Sequence, residues 1–175
     1  MTEVLYGTIN LPNIIDITDP CYNKDVWCRI NNFPIPAGEY ECYTLIANNE
    51  ETGGWGERVA RIGIRKGKAM RYEQKGTIGV DAGLAGFFNN KPDYNDEEWQ
   101  EFCETIRTGN AWLTPNGFFS SSGYGDGSYK VYAGYNNREL VEVYIEFITE
   151  EDLYEEYEYE EDEYDEDEEY SQSYV

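Results

Sequence analysis

The chain has 175 residues, 36 of them acidic and 13 basic, for a formal net charge of −23. One domain is expected at this length, and an apolar content of 40% excludes a wholly disordered chain. The absence of histidine excludes Ser–His–Asp and Cys–His catalytic groups and disfavours an enzyme. The sequence has no apolar run long enough to span a membrane and no start typical of a secretory signal, which predicts a soluble, cytoplasmic protein.

Short segments with period-two alternation predict β-strands along most of the chain. Turn sequences such as 52–54 and 136–137 separate them. The spacing predicts a mainly β fold, either a sandwich or a partly open barrel. In the last strand, Glu142, Tyr144 and Glu146 share the face opposite the apolar residues. The predicted strands are Val4–Ile9, Glu39–Ile46, Arg58–Arg65, Ala69–Tyr72, Thr77–Val80, Gly117–Ser121, Tyr129–Ala133 and Val141–Phe147.

One amphipathic helix is predicted from about Asp96 to about Arg107. Asn95 is a suitable N-cap, and Glu98 three residues later completes a capping box. The apolar residues fall at helical spacing, so we expect one stripe of the helix to face the sheet. That stripe consists of Trp99, Phe102, Cys103 and Ile106.

The four cysteines are Cys21, Cys28, Cys42 and Cys103. They lack the close-paired spacing of a zinc site, and nothing in the sequence indicates export and disulfide formation. We expect them to be small, buried, apolar residues.

A basic segment lies between Arg58 and Lys75, where seven cations occur with a single acid, Glu73. Three interpretations remain: contact with nucleic acid, shielding by the acidic C-terminal segment, or a solvated strand face. The net charge disfavours nucleic acid, because long-range repulsion from a polyanion outweighs a local patch. The solvated strand face is the preferred interpretation.

Negative charge is concentrated at the C-terminus. Fifteen acidic residues lie between Glu150 and Glu169, and the last basic residue is Arg138. Such a block repels itself, which predicts a β-rich globular domain over 1–149 and an acidic, tyrosine-rich tail over 150–175 that is disordered when free. Tyrosines among carboxylates can anchor on a basic, partly apolar protein surface. Candidate partner-binding residues are Glu155, Tyr157, Tyr159, Asp162, Tyr164 and Asp167.

Three motifs, at 16–22, 79–86 and 122–129, each place an aspartate among glycines or a proline. If Asp19, Asp81 and Asp126 converge, their oxygens can hold Mg²⁺ or Ca²⁺ and support phosphoester hydrolysis. The simpler interpretation is that these residues build tight turns. Aromatic residues nearby would line a nucleotide-like pocket or belong to the core. Candidate ligand-binding residues are Asp19, Tyr22, Trp27, Asp81, Tyr124, Asp126 and Tyr129.

These motifs resemble those of a group of small proteins from bacteriophage and bacterial genomes. The shared elements are Asp-Pro-Cys-Tyr at 19–22, Val-Asp-Ala-Gly-Leu-x-Gly at 80–86 and Tyr-Gly-Asp-Gly-x-Tyr at 124–129. The last two are also similar to the DUF4241 domain. The resemblance covers most of residues 14–147 and implies a β-rich fold, with no activity attached. This chain departs from it in motif order and in its acidic tail.

Three functions follow as hypotheses. The leading one is a phage-encoded, non-enzymatic binding or inhibitor protein. Its acidic surface and tail would block a host protein with a basic surface, as a DNA mimic or an anti-defence protein does. The second is a domain that binds or sequesters a nucleotide-like small molecule between the aspartate motifs. The third is a metal-dependent phosphoester hydrolase.

Overall fold

The computed structural model describes residues 1–153, which form two separate antiparallel sheets and a short helix α1 (Asp96–Thr105). The prediction of a mainly β fold with one helix is confirmed, in the form of two facing sheets. The strands are β1 (Thr2–Leu11), β2 (Ile14–Thr18), β3 (Ile30–Pro34), β4 (Gly38–Ala47), β5 (Arg58–Arg65), β6 (Arg71–Val80), β7 (Leu84–Phe88), β8 (Ala111–Thr114), β9 (Gly117–Ser121), β10 (Gly127–Asn136) and β11 (Glu139–Glu146).

The six-stranded sheet has the order β1-β4-β5-β11-β10-β6, and the five-stranded sheet has the order β3-β2-β7-β9-β8. The chain crosses between the sheets four times within residues 1–153, and the third crossing is the turn between β6 and β7. The core lies between the sheets, where Ile62 and Val143 of one sheet and Ile17 and Phe118 of the other are fully buried. Burial of each such side chain stabilises the fold by about 1.5–3 kcal/mol.

The helix α1 begins as predicted. The side chain of Asn95 accepts a hydrogen bond from the Glu98 N–H at 2.9 Å and donates one to Glu98 Oε1 at 2.6 Å. Its apolar stripe covers the outer face of the five-stranded sheet, where Phe102 contacts Phe119 with ring centroids 5.3 Å apart. Phe118, the preceding residue, points into the core. The helix therefore lies outside the sandwich.

The alternation patterns do not predict four of the strands, β2, β3, β7 and β8, which all belong to the five-stranded sheet. They have only four or five residues each, and β7 is buried along its whole length, so it shows no alternation. The predicted strands Ala69–Tyr72 and Thr77–Val80 are wrong as separate elements. They form the single strand β6, whose exposed polar middle residues pair with β10.

Within residues 1–153, no helix is long and apolar enough to span a membrane.

Candidate functional site

Asp19 joins two of the three sequence motifs. It follows β2 and is fully buried. One carboxylate oxygen accepts the N–H of Cys21 at 2.8 Å. The other accepts the N–H groups of Asp81 at 2.8 Å and Ala82 at 2.7 Å. The side chain therefore accepts hydrogen bonds from the backbone of the turn between β6 and β7, one of the turns that connect the two sheets.

The third motif reaches the same turn from the opposite side. Asp126 accepts the N–H of Gly83 at 2.9 Å, and Gly83 has a φ of 67°, which glycine adopts without strain. Within the motif, the Tyr129 hydroxyl donates to the Gly125 carbonyl at 2.6 Å. All three motifs thus meet at residues 81–83, where the carboxylates of Asp19 and Asp126 accept hydrogen bonds from backbone N–H groups.

This arrangement supports the turn interpretation of the aspartates. Within residues 1–153, no group of three or more cysteine, aspartate or glutamate side chains is placed to hold a metal ion. A site for Mg²⁺ or Ca²⁺, and the hydrolase that depends on it, stay predictions without a ligand set in this part of the chain.

Two of the aromatic candidates are exposed to solvent, and Tyr22 lies near Asp19 and Asp81. Trp27 is 92% exposed and Tyr124 is 43% exposed. Tyr22 is partly buried beside Cys28, and burial and the Cys28 thiol raise the pKa of its phenol. None of the seven candidate residues lines the pockets described below. The nucleotide-binding hypothesis stays a prediction.

The outer face of the six-stranded sheet carries a layer of arginine and tyrosine side chains, the Arg–Tyr face, formed by Tyr43, Arg61, Arg65 and Tyr144. The Arg61 guanidinium carbon lies 3.9 Å from the centroid of the Tyr144 ring, and that of Arg65 lies 4.5 Å from the Tyr43 ring. Gly63 lies opposite both tyrosines in the register. A Cβ atom there would lie 2.4 Å from the Tyr43 ring, so only glycine leaves room for it.

A buried carboxylate lies beside this layer. Glu142 is 5% exposed and lines a pocket of about 620 Å³. It accepts hydrogen bonds from the hydroxyl of Tyr43 and, at 2.6 Å, from that of Tyr72. Alternation correctly predicts that Glu142 lies on the outer face, but not that tyrosines from distant strands cover it. Burial and the Glu142 charge raise the pKa of both phenols, so they act as hydrogen-bond donors at neutral pH.

These phenols predict a loss of stability in alkali. Because the folded-state pKa of Tyr43 lies above its ordinary value of 10.0, the folded protein keeps a proton that the unfolded chain releases above that pH. The free energy of unfolding should therefore fall above pH 10, by up to about 1.4 kcal/mol per pH unit for Tyr43. Urea unfolding between pH 8 and pH 12 measures this slope.

The variants Tyr43→Phe and Tyr72→Phe form a matched pair for this test. Tyr43 is 2% exposed and Tyr72 is 48% exposed, so Tyr43→Phe should flatten the alkaline slope more. An unchanged slope in Tyr43→Phe would contradict the assignment.

The basic segment Arg58–Lys75 is largely neutralised by acids of the same sheet. Five of its seven cations form ion pairs within 4 Å. Arg65 binds both Glu3 and Glu41. This supports the solvated strand face over a surface awaiting nucleic acid or the acidic tail. The other pairs are Arg61 with Glu146, Lys66 with Glu139, and both Arg71 and Lys75 with Glu73.

The packed fold extends beyond residue 149, where we predicted the domain boundary. Thr149 and Asp152 exchange side-chain to backbone hydrogen bonds at 2.8 and 3.2 Å, which caps a helical turn at 150–153. Leu153 is 8% exposed and belongs to the core. The candidate partner-binding residues Glu155, Tyr157, Tyr159, Asp162, Tyr164 and Asp167 lie outside the described residues.

All four cysteines are free thiols. Cys42 is buried as predicted, whereas Cys21, Cys28 and Cys103 are partly exposed. Burial raises the pKa of Cys42 to about 12 and also raises that of Cys21, which lies beside Asp19. These two thiols are protonated at neutral pH and are poor nucleophiles.

Comparison with family models, with curated proteins and with solved structures finds no significant match for this chain. The resemblance to phage proteins and to the DUF4241 domain therefore stays a prediction, based on the three motifs.

Proposed function

We propose that this protein is a non-enzymatic binding protein that captures a protein with a basic surface through its acidic C-terminal segment. The charge distribution carries the proposal. Twelve acidic residues lie between Glu155 and Glu169 with no cation among them. The cations of the strand face that would neutralise them are mostly paired with acids of the folded domain. We infer that the negative charge of the segment serves to attract another molecule.

The chemistry of this segment suits a basic protein partner. A dense row of carboxylates steers a cationic surface over a distance of about 8–10 Å at physiological salt. The six tyrosines of residues 150–175 add apolar contact area, and each ring also carries a hydroxyl that can form a hydrogen bond. Such a segment imitates the charge of a nucleic acid, so its partner would be a protein with a nucleic-acid-binding surface. In a phage protein, that partner would belong to the host.

The described side chains favour binding over catalysis. The phenols of Tyr43 and Tyr72 and the thiols of Cys21 and Cys42 have raised pKa values. They are protonated near neutral pH and do not serve as general bases or nucleophiles there. Without histidine, the usual base for activating them is missing.

The test replaces the twelve acids between Glu155 and Glu169 with glutamine or asparagine in the full-length chain. We expect the original protein to retain a basic partner from a host lysate at low salt and to release it at high salt. The substituted chain should retain none. Binding of the purified partner is then measured by calorimetry for both chains.

A control removes charge from another exposed part of the surface. The variant Glu97→Gln, Glu101→Gln, Glu104→Gln removes three of the five acidic charges of α1 and should bind the partner as the original chain does. A truncation for the same purpose should end after Leu153 rather than at Thr149, because Leu153 belongs to the core. Equal binding by the original and the tail-neutralised chains would refute the proposal.

A further inference from the structure

A second pocket lies on the opposite side of the molecule from the Arg–Tyr face. It has a volume of about 520 Å³ and lies between α1, β8 and the outer face of β7 and β9. Aromatic rings dominate its wall. Trp112 and Phe88 stack on Phe119 with centroids 5.5 and 5.7 Å apart, and Phe102 lies 5.3 Å from the same ring. The pocket thus has a wall of packed aromatic rings.

One charged side chain lines this aromatic pocket. Lys91 is 5% exposed, and its ammonium lies 4.5 Å from the centroid of the Tyr94 ring. It donates one hydrogen bond, to the carbonyl of Pro92 at 2.6 Å. Among residues 1–153, no carboxylate lies within ion-pair distance of this ammonium. Two of its three N–H donors therefore have no acceptor from the described chain.

The acids nearest to Lys91 are engaged elsewhere. Asp16 forms an ion pair with the buried Arg29 at 3.3 Å, and Asp93 accepts the backbone N–H of Lys24 at 2.8 Å. Burial and the positive charge of Arg29 lower the pKa of Lys91, while Asp93 opposes this shift. A buried ammonium without a counter-ion is costly, since it has lost water and gained no carboxylate. A ligand that carries an anion would supply the missing partner.

We propose that this pocket binds a small planar aromatic molecule bearing a carboxylate, with the rings beside Trp112 and the carboxylate on Lys91. Apolar pockets with a few placed polar groups are the usual form of small-molecule sites, at about 300–1,000 Å³. Because an apolar cavity of about 150 Å³ holds one benzene, this pocket accommodates two or three rings. The site is independent of the acidic C-terminal segment and of the function proposed for it.

The test compares two probes of equal shape, 2-naphthoate and the uncharged 2-naphthamide, by calorimetry on the full-length protein. We expect 2-naphthoate to bind at least tenfold more tightly. Lys91→Met should remove this preference by weakening 2-naphthoate alone, whereas Lys91→Arg should keep it. Trp112→Ala should weaken both probes. Thermal unfolding of each variant verifies the fold, and Lys91→Met should be at least as stable as the original because it removes a buried charge.

Lys130→Met is the matched control, since Lys130 is an exposed lysine on β10 of the other sheet. It should leave both affinities unchanged. Three results would each overturn the proposal: no binding of 2-naphthoate at millimolar concentration, equal affinity for the two probes, or a preference for 2-naphthoate that survives in Lys91→Met.

Discussion

Replacing Asp19 with alanine is expected to lower the free energy of unfolding by about 3–5 kcal/mol. The carboxylate is fully buried and accepts three backbone N–H groups, from Cys21, Asp81 and Ala82. Its removal leaves those three donors without their buried carboxylate acceptor. Since the free energy of unfolding of a domain of this size is about 5–15 kcal/mol, this loss is a large fraction of the total and should increase the unfolded population.

Asp126→Ala is the matched control for Asp19→Ala. Asp126 is exposed and accepts a single N–H, from Gly83, so its loss should cost only about 1 kcal/mol. Urea unfolding followed by tryptophan fluorescence gives both values. The proposed structural role of Asp19 is wrong if its replacement costs no more than that of Asp126. A metal-binding role for the two aspartates would instead predict similar losses of metal affinity and little change in stability without metal.

The second large effect is expected for Gly86→Ala, which should destabilise the domain by at least about 3 kcal/mol. Gly86 lies in β7, paired with Phe119 of β9. A Cβ atom at Gly86 would lie 2.2 Å from the carbonyl oxygen of Phe118 and 2.5 Å from the Cα of Phe119. Both obstacles are backbone atoms of the neighbouring strand. No side-chain rotation relieves the clash, so the two strands must separate.

Gly67→Ala is the control for an added methyl group. Its Cβ would meet only the Val141 side chain, at 3.4 Å, which is an ordinary contact. We expect a change within about 1 kcal/mol for this variant. Thermal unfolding monitored by circular dichroism compares the two. A melting temperature of Gly86→Ala equal to that of Gly67→Ala would show that β7 and β9 are not packed as described.

The two predictions concern one structural unit. Asp19 ends β2 of the five-stranded sheet and holds the turn by which the chain enters that sheet from β6. Gly86 sets the distance between β7 and β9, on whose outer face the aromatic pocket lies. Loss of either contact should therefore also reduce binding of 2-naphthoate. The Arg–Tyr face of the other sheet should be less affected.

Local patterns in the sequence are sufficient to predict those structural features that depend only on neighbouring residues. The alternation in β11 places Glu142, Tyr144 and Glu146 on the outer face, and the Asn95–Glu98 capping box fixes the start of α1. The charge of the C-terminal segment follows directly from composition. These features need no knowledge of the fold, because hydrogen bonds and side-chain periodicity over a few residues determine them.

Long-range contacts decide the rest. Asp19 meets Asp81 and Ala82 across 62 and 63 residues, and Tyr43 meets Glu142 across 99. An aspartate beside a proline favours a turn but also suits a metal site until its hydrogen-bond donors are known. Likewise, Lys91 has the sequence surroundings of an exposed loop residue, and only the tertiary structure buries it. The sequence by itself determined which residues carry charge and alternate along strands. The tertiary structure alone decided which charges have partners and that the buried Lys91 has no carboxylate partner among residues 1–153, because groups distant in sequence come together only when the sheets form.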